Sequence, residues 1–225
     1  MRLLVCYGGT FDPVHNGHLA IACAVRDALA ADVRLIPAAD PPHKDEPHAD
    51  ARHRARMLDL ATAGEPGIVV DRRELRRDGP SYTIDTLHGL RAELGDQLPI
   101  AWLIGSDSLA ALDSWHRWRE LFGVAHILAV ERAGSHVDAA SLGRHAPAVQ
   151  SEIAPRWRPA EQLQASPSGG FAVLPLPCRR AESSTELRRR ILAGEPWQDW
   201  VPPPVAAYIG QHRLYAARPW PPAPL

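Results

Sequence analysis

Leu3-Leu4-Val5-Cys6-Tyr7-Gly8-Gly9-Thr10-Phe11-Asp12-Pro13-Val14-His15-Asn16-Gly17-His18 runs from an apolar strand, through a glycine pair, into a helix. An unbroken apolar run such as Leu3 to Tyr7 suits a strand covered on both faces. Beyond His18, the residues Ala22, Val25 and Leu29 recur at spacings of three and four, which puts them on one buried helix face. The same alternation continues along the chain. Strands are predicted at Leu3 to Tyr7, Val33 to Ile36, Ile68 to Val70, Ile100 to Ile104, His126 to Val130 and Phe171 to Leu174. Helices are predicted at about 18–30, 50–63, 83–94, 106–122 and 184–193. Strands alternating with helices imply an α/β fold, a doubly wound and mostly parallel sheet, whose ligands bind at the carboxyl ends of the strands. Residues 1–215 read as one domain. Within it, 133–170 reads as a surface excursion with one helix, and the Pro-rich stretch 216–225 reads as a disordered tail.

Composition removes several chemistries. Of the 25 basic residues among 225, 24 are Arg and only Lys44 is Lys. Lys44 follows His43 and precedes Asp45, so no Walker A loop exists, and a strand lysine of the protein-kinase kind is excluded the same way. A formal charge of -1 gives no global pull toward nucleic acid or a membrane surface. No apolar run reaches the ~18 residues of a membrane span. The three cysteines (6, 23 and 178) form neither a close pair nor a zinc pattern; Cys6 and Cys23 read as buried thiols in a reducing cytoplasm.

Chemistry concentrates where predicted strands end. Two glycines after a strand let backbone N–H groups approach an anion, and the following helix adds its positive end. His15 and His18 can point into the same cavity as donors to phosphoryl oxygens. A metal pair is the competing reading, left open by His43, His48 and His53. After the second strand, Asp40-Pro41-Pro42-His43-Lys44 offers the lone lysine as a point charge for a phosphate. Arg52, Arg54 and Arg56 follow, mostly as a solvated basic face. Gly79-Pro80-Ser81-Tyr82-Thr83 reads as a turn into a helix with Ser81 or Thr83 as cap, a place where N–H groups can take a carboxylate. Gly105-Ser106-Asp107 repeats the strand-glycine-helix pattern, and Asp107 can hold a ribose hydroxyl or cap the helix. Trp115 and Trp118 can share one helix face, with Trp115 free to stack on a heterocycle. Ser183 and Glu186 form a possible capping box, which together with Thr185 and Arg188 makes a second phosphate site.

The string Gly8 to His18 resembles the signature of the H-x-G-H nucleotidyltransferases. Its company narrows the resemblance to the bacterial nicotinate-mononucleotide adenylyltransferases over most of 1–215. Pro-Pro-His-Lys, Ser-Tyr-Thr-Ile-Asp-Thr-Leu, Ile-Gly-Ser-Asp-Ser-Leu with Trp115, and Ser-Ser-Thr-x-x-Arg follow in family order. The resemblance implies a Rossmann-like nucleotidyltransferase fold. It implies transfer of AMP from ATP, carrying Mg2+, to nicotinate mononucleotide, giving nicotinate adenine dinucleotide and pyrophosphate. It makes His15 and His18 catalytic. It places Gly8, Gly9, Thr10, Phe11, Gly105, Asp107, Arg132, Ser183, Thr185 and Arg188 at ATP, and Lys44, Tyr82, Thr83 and Trp115 at the acceptor. It needs no protein-held metal and leaves a homo-oligomer open. Transfer to another phosphorylated acceptor, a metal-dependent phosphohydrolase and a non-catalytic nucleotide sensor are the alternatives.

Overall fold

The computed structural model describes residues 1–39, 47–131, 137, 139–176 and 182–216. Six strands within these residues form one parallel sheet: β1 (Leu4–Gly9), β2 (Asp32–Pro37), β3 (Ile68–Val70), β4 (Ile100–Gly105), β5 (His126–Val130) and β6 (Phe171–Leu174). Their spatial order is β3-β2-β1-β4-β5-β6, so the winding reverses between β1 and β4. Each predicted strand is present, within two residues of its expected ends.

Successive residues of β1 serve opposite layers, as the two-residue period of a strand demands. Val5 and Tyr7 join one core, packed by α1 (Asn16–Leu29) and α2 (Ala51–Thr62). Leu4 and Cys6 join the other, packed by α3 (Thr83–Leu94). On α1 the predicted residues Ala22, Val25 and Leu29 are all buried, together with Ile21.

Residues 106–122 depart from expectation. They form α4 (Ser106–Ala110), 3-10 turns at Leu112–Ser114 and Trp118–Glu120, and α5 (Leu121–Val124), not one continuous helix. Ala111 leaves helical backbone geometry at the end of α4, and Arg117 takes a left-handed φ of 51°. Trp115 and Trp118 therefore share no helix face. Trp118 is buried in the core and Trp115 is only partly covered. The stretch read as a surface excursion also contributes to the core. It folds into α6 (Ala139–His145) and α7 (Pro147–Ile153), and Leu142, Val149, Ile153 and Leu163 are buried.

The chain closes with α8 (Ser184–Ala193) and α9 (Pro203–His212). No helix was expected at 203–212, although prolines at its start and Val205 and Ile209 on one buried face were readable signals. Cys6 is buried as expected, and burial pushes its thiol up to about 12. Cys23 is only partly buried, because α1 turns it toward Glu65, 3.6 Å away.

Candidate active site

The site follows from how far each central strand stays paired. β1 pairs with β4 up to Tyr7–Leu103, but with β2 it continues to Gly9–Pro37. β4 in turn stays with β5 as far as Gly105–Val130. The two strands therefore part at their carboxyl ends, and a crevice opens where a doubly wound sheet places its ligand. A cavity of about 1100 Å³ fills it, lined by Gly8 to Asp12 and His18 on one side and by Trp102 to Gly105 with Asp107 on the other.

Gly8 and Gly9 are the last residues of β1, not part of the loop beyond it. A Cβ on Gly8 would lie 2.3 Å from the Trp102 ring, so packing requires glycine here. Phe11 takes a left-handed φ of 50°, and its ring stands edge-on to Tyr7 and to His18. His15 caps α1 and is 3% exposed; His18 is 9% exposed. The rings stack with centroids 3.7 Å apart, and the His15 backbone N–H donates to His18 Nδ1 at 3.3 Å. Of the two, His18 forms part of the cavity wall.

The loop is held from behind by two buried charges. Arg54 is 1% exposed and donates to four carbonyl oxygens, those of Thr10, Ala38, Ala39 and Ala49. Burial disfavours its charge, and Asp12 supports it. This residue is no part of a solvated basic face. Asp12 accepts the backbone N–H groups of His48 and Ala49 and the phenol of Tyr215. Its own carbonyl accepts from Arg188 at 2.6 Å. Ser184 donates to the Pro13 carbonyl, so the start of α8 is docked on the loop.

The opposite rim is built from the start of α3. Its cap is Tyr82, not Ser81 or Thr83; the Ser81 hydroxyl instead accepts the Ala39 N–H at 3.0 Å. The Tyr82 N–H donates to the Pro80 carbonyl, which leaves Thr83 as the first helical residue, with an N–H that has no acceptor inside the helix. Behind this turn Glu74 is buried and accepts from the Thr86 hydroxyl at 2.6 Å. Burial raises its pKa, with hydrogen bonds from Thr86 and Ser81 working the other way. Tyr82 stacks on His116 with centroids 4.3 Å apart, and Trp115 adjoins them on the cavity wall.

Comparison with known proteins adds the family. A cytidylyltransferase-like family model matches residues 6–190. A protein named probable nicotinate-nucleotide adenylyltransferase from Stenotrophomonas maltophilia is 50% identical, with 96% of this chain and 97% of that one covered. One of the same name from Laribacter hongkongensis is 45% identical over 93% of this chain and 92% of its own length. This chain belongs to the nicotinate-nucleotide adenylyltransferases. Its fold matches that of Plasmodium falciparum nicotinic acid mononucleotide adenylyltransferase, solved in complex with NaAD, with a TM-score of 0.72. That likeness holds at 17% identity and covers 96% of this chain and 98% of the other.

In this adenylyltransferase one cavity gathers Gly8, Gly9, Thr10, Phe11, His18, Tyr82, Thr83, Gly105, Asp107, Trp115, Thr185 and Arg188. His15 stacks on His18, and Ser183 caps α8 through its hydroxyl, which accepts the Glu186 N–H at 3.2 Å. The Glu186 carboxylate faces Arg189 and Arg190 rather than completing a box. Asp107 sits in the first turn of α4, whose cap is Gly105. Lys44 and Arg132 lie outside the described residues. Asp12, Arg54, Glu74, Trp102, His116 and Tyr215 were not singled out as site residues from sequence. Only Asp12 carried a signal, as a member of the Gly8 to His18 string.

Proposed function

We propose that this adenylyltransferase moves AMP from ATP to nicotinate mononucleotide in the β1/β4 crevice. One observation carries the reading. Donors suited to phosphate (His18, Thr185 and Arg188) line the same cavity as an aromatic wall and a helix N-terminus suited to a pyridine carboxylate.

The acceptor's 5′-phosphate is the nucleophile. With a second pKa of ~6 it is largely dianionic near neutrality and needs no general base. One of its oxygens bonds to the α-phosphorus of ATP as the bond from that phosphorus to the bridging oxygen breaks, and pyrophosphate leaves with that electron pair. Holding two anions in line and stabilising the α-phosphoryl oxygens is the catalytic task. His18 serves it as an N–H donor. Because Nδ1 accepts from the His15 backbone, a neutral His18 ring carries its proton on Nε2. His15 holds that ring by stacking. Arg188 and Thr185, with Ser183 shaping their helix start, serve the β- and γ-phosphates, while Asp107, Gly105 and Arg132 serve the adenosine.

On the acceptor side, Trp115 takes the ring, the amides near Tyr82 and Thr83 take its carboxylate, and Lys44 takes the phosphate. Mg2+ arrives on the triphosphate as part of the substrate. Among the described residues no group of three or more His, Cys, Asp or Glu is placed to hold a metal ion, and the phosphate-facing set named above is made of N–H and O–H donors. Among the same residues no helix is long and apolar enough to cross a membrane. The cytoplasm suits the free thiols of Cys6 and Cys23. Residues 1–215 act as one domain, joined across their ends by the bond from Tyr215 to Asp12.

The test is pyrophosphate release from ATP across a panel of phosphorylated acceptors. Nicotinate mononucleotide should lead the panel. Release with phosphopantetheine or glycerol phosphate instead would move the acceptor assignment. ATP binding with no release on any acceptor would replace the enzyme with a sensor.

A further inference from the structure

Glu74 opens a 3-10 turn at Glu74–Arg76, between β3 and α3, and is 4% exposed although it forms part of the cavity wall beside Ser81, Tyr82 and Thr83. Nothing in the reaction above uses its carboxyl group. Its Oε1 accepts from the Thr86 hydroxyl at 2.6 Å, and the Ser81 hydroxyl bonds the same carboxyl. Ser81 precedes α3 and Thr86 lies inside its first turn, so one side chain straps the start of the helix from both ends. That start has no side-chain cap. Tyr82 holds the cap position, and its own N–H goes to the Pro80 carbonyl.

The strap has fixed neighbours. Ser81 accepts the Ala39 N–H at 3.0 Å, and the Ala39 carbonyl accepts from Arg54, which also holds the Thr10 carbonyl. The acceptor rim is thereby tied to the glycine loop across the crevice. Arg73, next to Glu74, pairs with Asp71 at 2.8 Å and with Glu93 of α3 at 2.7 Å, and Arg77 donates to the Thr86 hydroxyl at 3.4 Å. The segment around Glu74 is therefore bound to α3 by other contacts as well, and what the carboxyl adds is local, the placement of the first turn.

We propose that Glu74 is a positioning residue for acceptor choice: by holding Ser81 and Thr86 together it sets where the Thr83 N–H meets the acceptor's carboxylate. The inference rests on the adenylyltransferase reading of the crevice, in which that N–H belongs to the carboxylate subsite. An acceptor with a neutral carboxamide draws less from the same N–H and depends less on its placement.

Three variants test this through kcat/KM for nicotinate and nicotinamide mononucleotide and through the KM for ATP. Glu74→Met keeps an unbranched side chain and removes both carboxyl oxygens, Thr86→Val removes one hydroxyl at the same shape, and Thr86→Ser retains it. In the first two the acid-to-amide ratio should fall about fivefold toward parity, since a charge-assisted bond is roughly twice as strong as a neutral one. Thr86→Ser should keep the wild-type ratio. The KM for ATP should stay within about twofold throughout, because sites that share no partner behave independently. Loss of stability alone would lower the rates with both acceptors together and leave the ratio unmoved. An unmoved ratio in Glu74→Met or Thr86→Val overturns the proposal and leaves the function standing, as does an equal fall in Thr86→Ser or a parallel rise in the KM for ATP. If Glu74→Met does not fold, the two Thr86 variants decide. Wild-type parity between the acceptors would instead remove the carboxylate subsite itself, and the proposal with it.

Discussion

His15 and His18 stack with ring centroids 3.7 Å apart, and the His15 backbone N–H ends on His18 Nδ1. The first histidine therefore fixes both the plane and the tautomer of the second. That contact is local, a consequence of the two residues occupying the cap and third positions of α1.

His18→Ala removes the donor and leaves the α1 stripe of Ile21, Ala22 and Val25 in place. By analogy with deletion of an oxyanion-hole donor, the barrier should rise by about 2.7–4 kcal/mol, or roughly 10²–10³ in kcat. Single-turnover rates with circular dichroism on the same preparation check this. A folded variant with near-normal kcat removes His18 from the chemistry.

The Thr83 amide at the start of α3 favours a charged partner over a neutral one. The acid substrate should exceed nicotinamide mononucleotide in kcat/KM by at least about tenfold, since bonds to a charged group are roughly twice as strong as neutral ones. Competing the two acceptors in one reaction measures the ratio. Parity would leave the carboxylate without a role.

Gly8→Ala should cost stability and activity together. The new Cβ would meet Trp102 Cζ2 at 2.3 Å, and Trp102 is itself buried between β1 and α3. Overpacking of this kind costs about 1–3 kcal/mol. Denaturant unfolding reports the loss. Equal stability would mean the indole has room to move.

Glu74 sets a pH dependence whose sign can be worked out. Its folded-state pKa lies above the ordinary 4.5, because burial outweighs the hydrogen bonds and Arg77. The fold thus favours the protonated acid. Its contribution is complete below about pH 4.5 and is lost as pH rises through the raised value. Glu74→Gln cannot ionise, so its stability relative to wild type should climb with pH above 4.5 and then level off. Urea unfolding from pH 5 to 8 follows the difference, and a flat difference would contradict the assignment.

The strands and most of the long helices were legible because each carries its own period: an unbroken apolar run for β1, spacings of three and four for α1. The ligand-facing residues were legible where they sit in a string with a local mechanism, as His18 does after its glycine pair. What escaped depends on contacts distant in sequence. Arg54 looks like any arginine on a basic helix until its guanidinium is seen facing carbonyls of three separate segments. Trp115 and Trp118 have helical spacing, yet the left-handed Arg117 between them sends one to the cavity and the other to the core. Tyr215 comes just before the Pro-rich stretch in the sequence, and nothing near it there points to Asp12.

The central claim is attack by the acceptor phosphate on the α-phosphorus of ATP, and oxygen labelling tests it most directly. Nicotinate mononucleotide carrying 18O in its non-bridging phosphate oxygens is incubated with unlabelled ATP, and the products are weighed by mass spectrometry. All of the label should be retained in nicotinate adenine dinucleotide, one atom of it in the bridge, with unlabelled pyrophosphate formed in equal amount. Label recovered in pyrophosphate or inorganic phosphate, or pyrophosphate formed without the dinucleotide, would contradict the account.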